Sequence, residues 1–150
     1  MQVTKQTTIT SPLERFLAIL GAVVCLIITI LFWLSVSAYQ NMWPLPALYF
    51  IEMVVLSIIS AFIFVRGDPR YQFITWGTAG VISAFSILGA LSVGSFYLPV
   101  AVIFAVISVT STVRNKRHIA THLGIFLIAG IAQLALMFAV IRLVDPSAIF

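Results

Sequence analysis

Five long apolar runs fill most of this chain, and the short breaks between them hold nearly every charge. A helix needs about 20 apolar residues to cross the hydrocarbon core of a bilayer. The runs at about 16–38, 46–65, 73–93, 96–113 and 123–143 are of that order. Backbone N–H and C=O groups in lipid must be satisfied within the segment, so each run is expected to be a helix. A β-barrel does not fit, because its strands would be shorter and would alternate apolar with polar residues. The expected fold is therefore all-α: a polytopic integral membrane protein of five transmembrane helices in a single compact bundle. One membrane domain covers the 150 residues and includes a polar, Thr-rich arm at 1–10.

Composition agrees. The chain is 62% hydrophobic and 8% charged, against about 25% charged in a typical soluble domain. So few charges cannot cover a water-facing surface, and lipid has to be the main solvent. The net charge of +4 would suit nucleic acid, but the basic residues flank the apolar runs. That placement reads as topology signals and lipid-headgroup contacts, and no nucleic-acid partner is expected. Cys25 is the single cysteine, so no intrachain disulfide can form.

The breaks carry helix start and stop chemistry. Ser11-Pro12-Leu13-Glu14 reads as a capping box with proline at the first helical position. Asn41 can end the first helix, and Pro44 and Pro46 bracket the next start. In Arg66-Gly67-Asp68-Pro69, glycine ends the second helix, aspartate caps the third and proline opens it. A tight turn from Gly94 to Pro99 makes the third and fourth helices antiparallel neighbours. The stretch at 89–99 resembles a turn in small bacterial membrane proteins; the resemblance covers one hairpin and implies no activity. Val36-Ser37-Ala38 has the small residues of a signal-peptidase site, but the apolar region before it exceeds the roughly 7–15 residues of a signal peptide, so an uncleaved first helix is expected.

Charge bias predicts orientation. Lys5, Arg15, Arg66, Arg70, Arg114, Lys116 and Arg117 fall on one side of the membrane, and only Arg142 on the other. The N-terminus is then cytoplasmic and the C-terminus outside, in a plasma membrane, with a prokaryotic inner membrane the best fit. Tyr39, Trp43, Tyr49, Phe96 and Tyr97 would form an outer aromatic belt, with Tyr71 and Trp76 near the inner interface.

Small residues mark packing faces, because they let helix backbones approach. The third helix has the strongest stripe, Ala79, Ser83, Ser86, Ala90 and Gly94, flanked by Gly77, Gly80 and Gly89. The first offers Ala18, Gly21, Ala22, Cys25 and Thr29; the fourth Ala101, Ala105, Ser108 and Thr112; the fifth Ala132, Ala135 and Ala139. The second carries more bulk (Phe50, Met53, Leu56, Phe62, Phe64) and is expected at the periphery. These faces pack within the chain, or one of them meets another protein.

Three polar features stand out within the apolar runs. Glu52 is an intramembrane carboxylate, expected to pair with Arg142 in the same leaflet; a proton or cation site is the functional alternative. Gln133, near the middle of the fifth helix, is expected to hydrogen-bond between helices. His118 and His122 lie four apart and would share a helical face. With Arg114, Lys116 and Arg117 they form an interfacial basic cluster facing anionic lipid headgroups at the cytoplasmic face. A metal, haem, quinone or pigment contact there is the alternative; no cofactor is expected and no metal motif is present.

No catalytic, nucleotide-binding or metal signature rises above background. The expectation is a non-catalytic accessory or structural subunit of a larger membrane complex, respiratory or photosynthetic assemblies being candidate hosts. Its partners would be the lipid bilayer and other membrane-protein subunits. The alternatives are a small oligomeric transporter or channel with Glu52 and Gln133 on its path, and a membrane enzyme or cofactor carrier using His118 and His122.

Overall fold

The computed structural model describes residues 10–37, 45–67, 71–89, 93–116 and 118–144. These form five helices: α1 (Pro12–Ser37), α2 (Leu45–Arg66), α3 (Tyr71–Leu88), α4 (Leu98–Arg114) and α5 (Ile119–Val144), with a 3₁₀ turn at Gly94–Tyr97 leading into α4. Among the described residues there is no strand. Four helical stretches are long and apolar enough to cross a membrane: Pro12–Ser35, Ala47–Arg66, Gly94–Arg114 and Ile119–Leu143.

Helix ends follow local chemistry. The capping box is present: Ser11 N–H donates to Glu14 Oε2 and Glu14 N–H donates to Ser11 Oγ, both at 3.2 Å. Gly67 ends α2 with φ +69°, the left-handed conformation that L side chains disfavour. Gly89 ends α3, earlier than the apolar run suggests, and its N–H donates to the Phe85 carbonyl at 2.9 Å. Gly94 N–H returns to the Gly89 carbonyl at 2.9 Å, and a Cβ on either glycine would collide with the other's backbone. The turn between α3 and α4 is thus closed by direct backbone contact. The expected caps at Asp68 and Pro69, and Ala38, Tyr39, Trp43 and Ala90, lie outside the described residues.

Helices α1 to α4 make a closed ring of contacts, α1 on α2, α2 on α3, α3 on α4 and α4 on α1. Inside the ring Cys25, Phe50, Met53, Ile82, Phe85, Tyr97 and Phe104 pack together. Toward the other end Ala18, Ala61, Phe64, Tyr71 and Ile107 form a second cluster. The faces expected on α1 and α4 point inward: Ala18, Gly21, Cys25 and Thr29 are buried, as are Ala101, Ser108 and Thr112.

Helix α5 stands outside this ring and leans on α3. The fifth helix, not the second, is therefore peripheral. Bulk did not exclude α2 from the core, because Phe50, Met53 and Phe64 fill the ring interior at 1% exposure or less. The packing face of α5 also differs from expectation. Ala132, Ala135 and Ala139 are exposed. The close contact is made by Gly80 of α3 against the backbone of Phe126, with Gly130 opposite the Gly80 carbonyl. A Cβ at Gly80 would lie well inside van der Waals contact with the Phe126 carbonyl oxygen.

The aromatic belts are corrected too. Tyr71, Trp76 and Tyr97 are buried in protein. Each polar tip finds a protein partner: Tyr97 hydroxyl with Thr29 Oγ1 at 2.7 Å, Trp76 Nε1–H to Thr112 Oγ1 at 2.9 Å, and Tyr71 hydroxyl accepting from Ser111 at 2.8 Å. A buried aromatic tip paired in this way has no need of the water interface. Phe96 is exposed.

Candidate functional site

Helices α2 and α5 flank α3, and polar side chains meet where they approach each other. Gln133 of α5 is 3% exposed and Glu52 of α2 is half-buried. Gln133 Nε2–H donates to Glu52 Oε2 at 2.9 Å. One turn away, the Tyr49 hydroxyl reaches the Met137 carbonyl at 3.5 Å, while its ring sits 6.1 Å from that of Phe85 on α3. The only described acid on α2 is thus tied to the only amide side chain on α5.

The expected partner, Arg142, is not part of this site. It is exposed, and among the described residues no ion pair joins it to Glu52. The reason is helical phase. Nine residues separate Gln133 from Arg142, and at about 3.6 residues per turn that places them on opposite faces of α5. Leaflet depth alone suggested the pair; rotation about the helix axis forbids it.

A carboxylate beside a neutral carboxamide has a specific chemistry. The amide N–H stabilises the ionised acid. If Glu52 takes up a proton, its O–H can instead donate to the carboxamide oxygen of Gln133.

A second polar cluster, not anticipated from the sequence, lies near the start of α3 and the end of α4. Gln72 is fully buried, and its Nε2 donates to the Ser111 carbonyl at 3.3 Å. Asn115 Nδ2 donates to the Tyr71 hydroxyl at 2.9 Å. Beside them, Arg114 forms an ion pair with the buried Glu14 of α1. The available signal was the spacing of Ser108, Ser111 and Thr112, which places three hydroxyls on one face of α4.

The basic cluster separates into different environments. Arg114 is engaged by Glu14, so it is not simply a headgroup ligand. Lys116 and His118 are exposed, and Arg117 lies outside the described residues. His122 is 3% exposed and stacks on Trp76 with ring centroids 6.3 Å apart, with Phe73 at 5.2 Å. His118 precedes the first residue of α5, so the two imidazoles do not share a helical face. Among the described residues, no three metal-ligating side chains come together.

On the helix-three stripe, Ala79, Ser86 and Gly94 are buried and Ser83 is half-buried. Gly94 belongs to the 3₁₀ turn rather than to α3.

Compared with known proteins, the chain matches no family model, no curated protein and no solved structure.

Proposed function

We propose that this chain is a non-catalytic integral membrane protein that acts as an accessory or structural subunit of a larger membrane complex. Five helices cross the plasma membrane in this reading, with the N-terminus cytoplasmic and the C-terminus outside. The observation that carries it is the outward face of α5. That helix is almost wholly apolar, and its alanine face at Ala132, Ala135 and Ala139 is turned away from the rest of the chain. Small residues on a membrane helix permit close approach of another helix, and these are exposed among the described residues.

Native mass spectrometry of mildly solubilised membranes tests the proposal. A stable heteromeric complex is expected, and Ala135→Leu should dissociate it while leaving the isolated chain folded. A chain found only as monomer overturns the subunit reading. A periplasmic-type reporter fused after Phe150 should be active; strong activity of a cytoplasmic reporter there overturns the orientation.

The second reading is a small oligomeric transporter or channel, favoured by the Glu52–Gln133 hydrogen bond. In that case Glu52→Gln abolishes a flux and leaves folding intact. A flux assay in proteoliposomes that registers no difference between the parent protein and Glu52→Gln removes it.

A further inference from the structure

A groove between α1 and α2 takes no part in the site described above. Ile19, Val23 and Leu26 form one wall, and Ile58, Phe62 and Val65 the other. Ala22 and Ala61 lie between, and their small side chains leave an opening of about 340 Å³. From Ile19 to Leu26 the groove runs about 10 Å, at a rise of about 1.5 Å per residue. Its lining is aliphatic and aromatic throughout.

One end of the groove is basic. Helices α1 and α2 are antiparallel, since Ala18 packs with Ala61 and Phe64 while Cys25 packs with Phe50 and Met53. The start of α1 therefore lies beside the end of α2. Arg15 is exposed one turn before Ile19, and Arg66 is exposed directly after Val65. The Arg66 guanidinium sits over the Phe62 ring at 4.0 Å, so a residue of the groove wall itself holds this cation at the mouth. Glu14, the described acid at this end, is taken up by Arg114.

We infer that this groove binds an anionic glycerophospholipid, with one acyl chain along Ile58 and Phe62 and the phosphate on Arg66 and Arg15. The apolar length suits a hydrocarbon chain. A planar guanidinium can meet two phosphate oxygens at once. Two such cations favour a lipid of net negative charge over one whose headgroup carries its own cation. Lys116 and His118 follow α4 and do not line the groove.

The test uses the full chain in detergent with equal amounts of dioleoyl phosphatidylglycerol and dioleoyl phosphatidylcholine, read by native mass spectrometry. Phosphatidylglycerol is expected to be retained preferentially. Arg66→Gln should lower its retention about fivefold, the effect of one basic residue at a membrane surface, and leave phosphatidylcholine unchanged. Ala22→Phe should reduce both lipids by filling the groove, and Lys116→Gln should leave the ratio as it was. Equal retention of the two lipids by the parent protein overturns the assignment, as does retention indifferent to both Arg66→Gln and Arg15→Gln. Photolabelling of the unmodified sequence gives a measurement independent of any variant. Phosphatidylglycerol with a diazirine in mid-chain should label the segments holding Val23 and Ile58. Labelling spread evenly over the outward face of α5, or chain-to-chain cross-links through Val23, would assign the groove to bulk lipid or to a second copy instead.

Discussion

Helices α3 and α5 pack against each other, yet they live in different solvents. Eleven of the 18 residues of α3 are buried, so its surroundings are mostly other helices. It can carry Gln72, Thr75, Thr78 and Ser86 because protein groups, not hydrocarbon, surround them. On α5 only His122 and Gln133 are buried among the described residues, while Ile128, Ile131 and Leu143 are more than 60% exposed. The helix that reads as less lipophilic is the better protected one. Apolar character along a chain like this reports contact with lipid, and a polar interruption can mark the centre of the fold.

The sharpest way to break this contrast is at the glycine contact. Gly80→Leu drives a side chain into the Phe126 backbone, which cannot rotate away. A loss of about 3 kcal/mol, the upper part of the usual range for overpacking, is expected in detergent unfolding, with α5 becoming protease-sensitive. Next is Gln72→Leu, which removes the donor to Ser111 inside the ring and should cost about 2 kcal/mol by the same measurement. On α5, Gln133→Leu strips Glu52 of its hydrogen-bond donor. Because Glu52 is half-buried, a smaller loss of about 1 kcal/mol is expected. In a double-mutant cycle, Glu52→Gln combined with Gln133→Leu should fall short of the sum of the two single losses. The smallest effects belong to the outward side of α5: Ala132→Leu and Arg142→Gln should each stay within about 0.5 kcal/mol. A large loss for Ala132→Leu would mean that α5 is not peripheral.

Much of the helical architecture was legible in the sequence, because apolar run length and capping chemistry are local. Ser11 and Glu14 announce the start of α1, and Gly67 the end of α2, without reference to the rest of the chain. The α3–α4 hairpin is likewise readable from its short turn. What was not legible depends on rotation about helix axes. Gln133 was recognised as an interhelical donor, but its acceptor was not, because depth places Arg142 near Glu52 and phase turns it away. Small residues on α5 were equally ambiguous. Gly130 meets α3 whereas Ala132, Ala135 and Ala139 do not, and composition alone does not distinguish them. Tyr71, Trp76 and Tyr97 read as belt residues by sequence position, and only their hydroxyl partners on other helices reveal that they are interior.

The carboxylate of Glu14 serves two partners that are made at very different times. Its Oε2 accepts from the Ser11 amide, three residues away, and also from Arg114, a hundred residues later in the chain. Synthesis proceeds from the N-terminus at about 5–20 residues per second. For some seconds, then, the first helix exists while the fourth does not. During that interval the capping box is the contact available to the acid. Arrival of α4 adds the guanidinium and fastens the first turn of α1 to the last turn of α4. A single side chain thereby joins the local start of α1 to the closing of the helical ring.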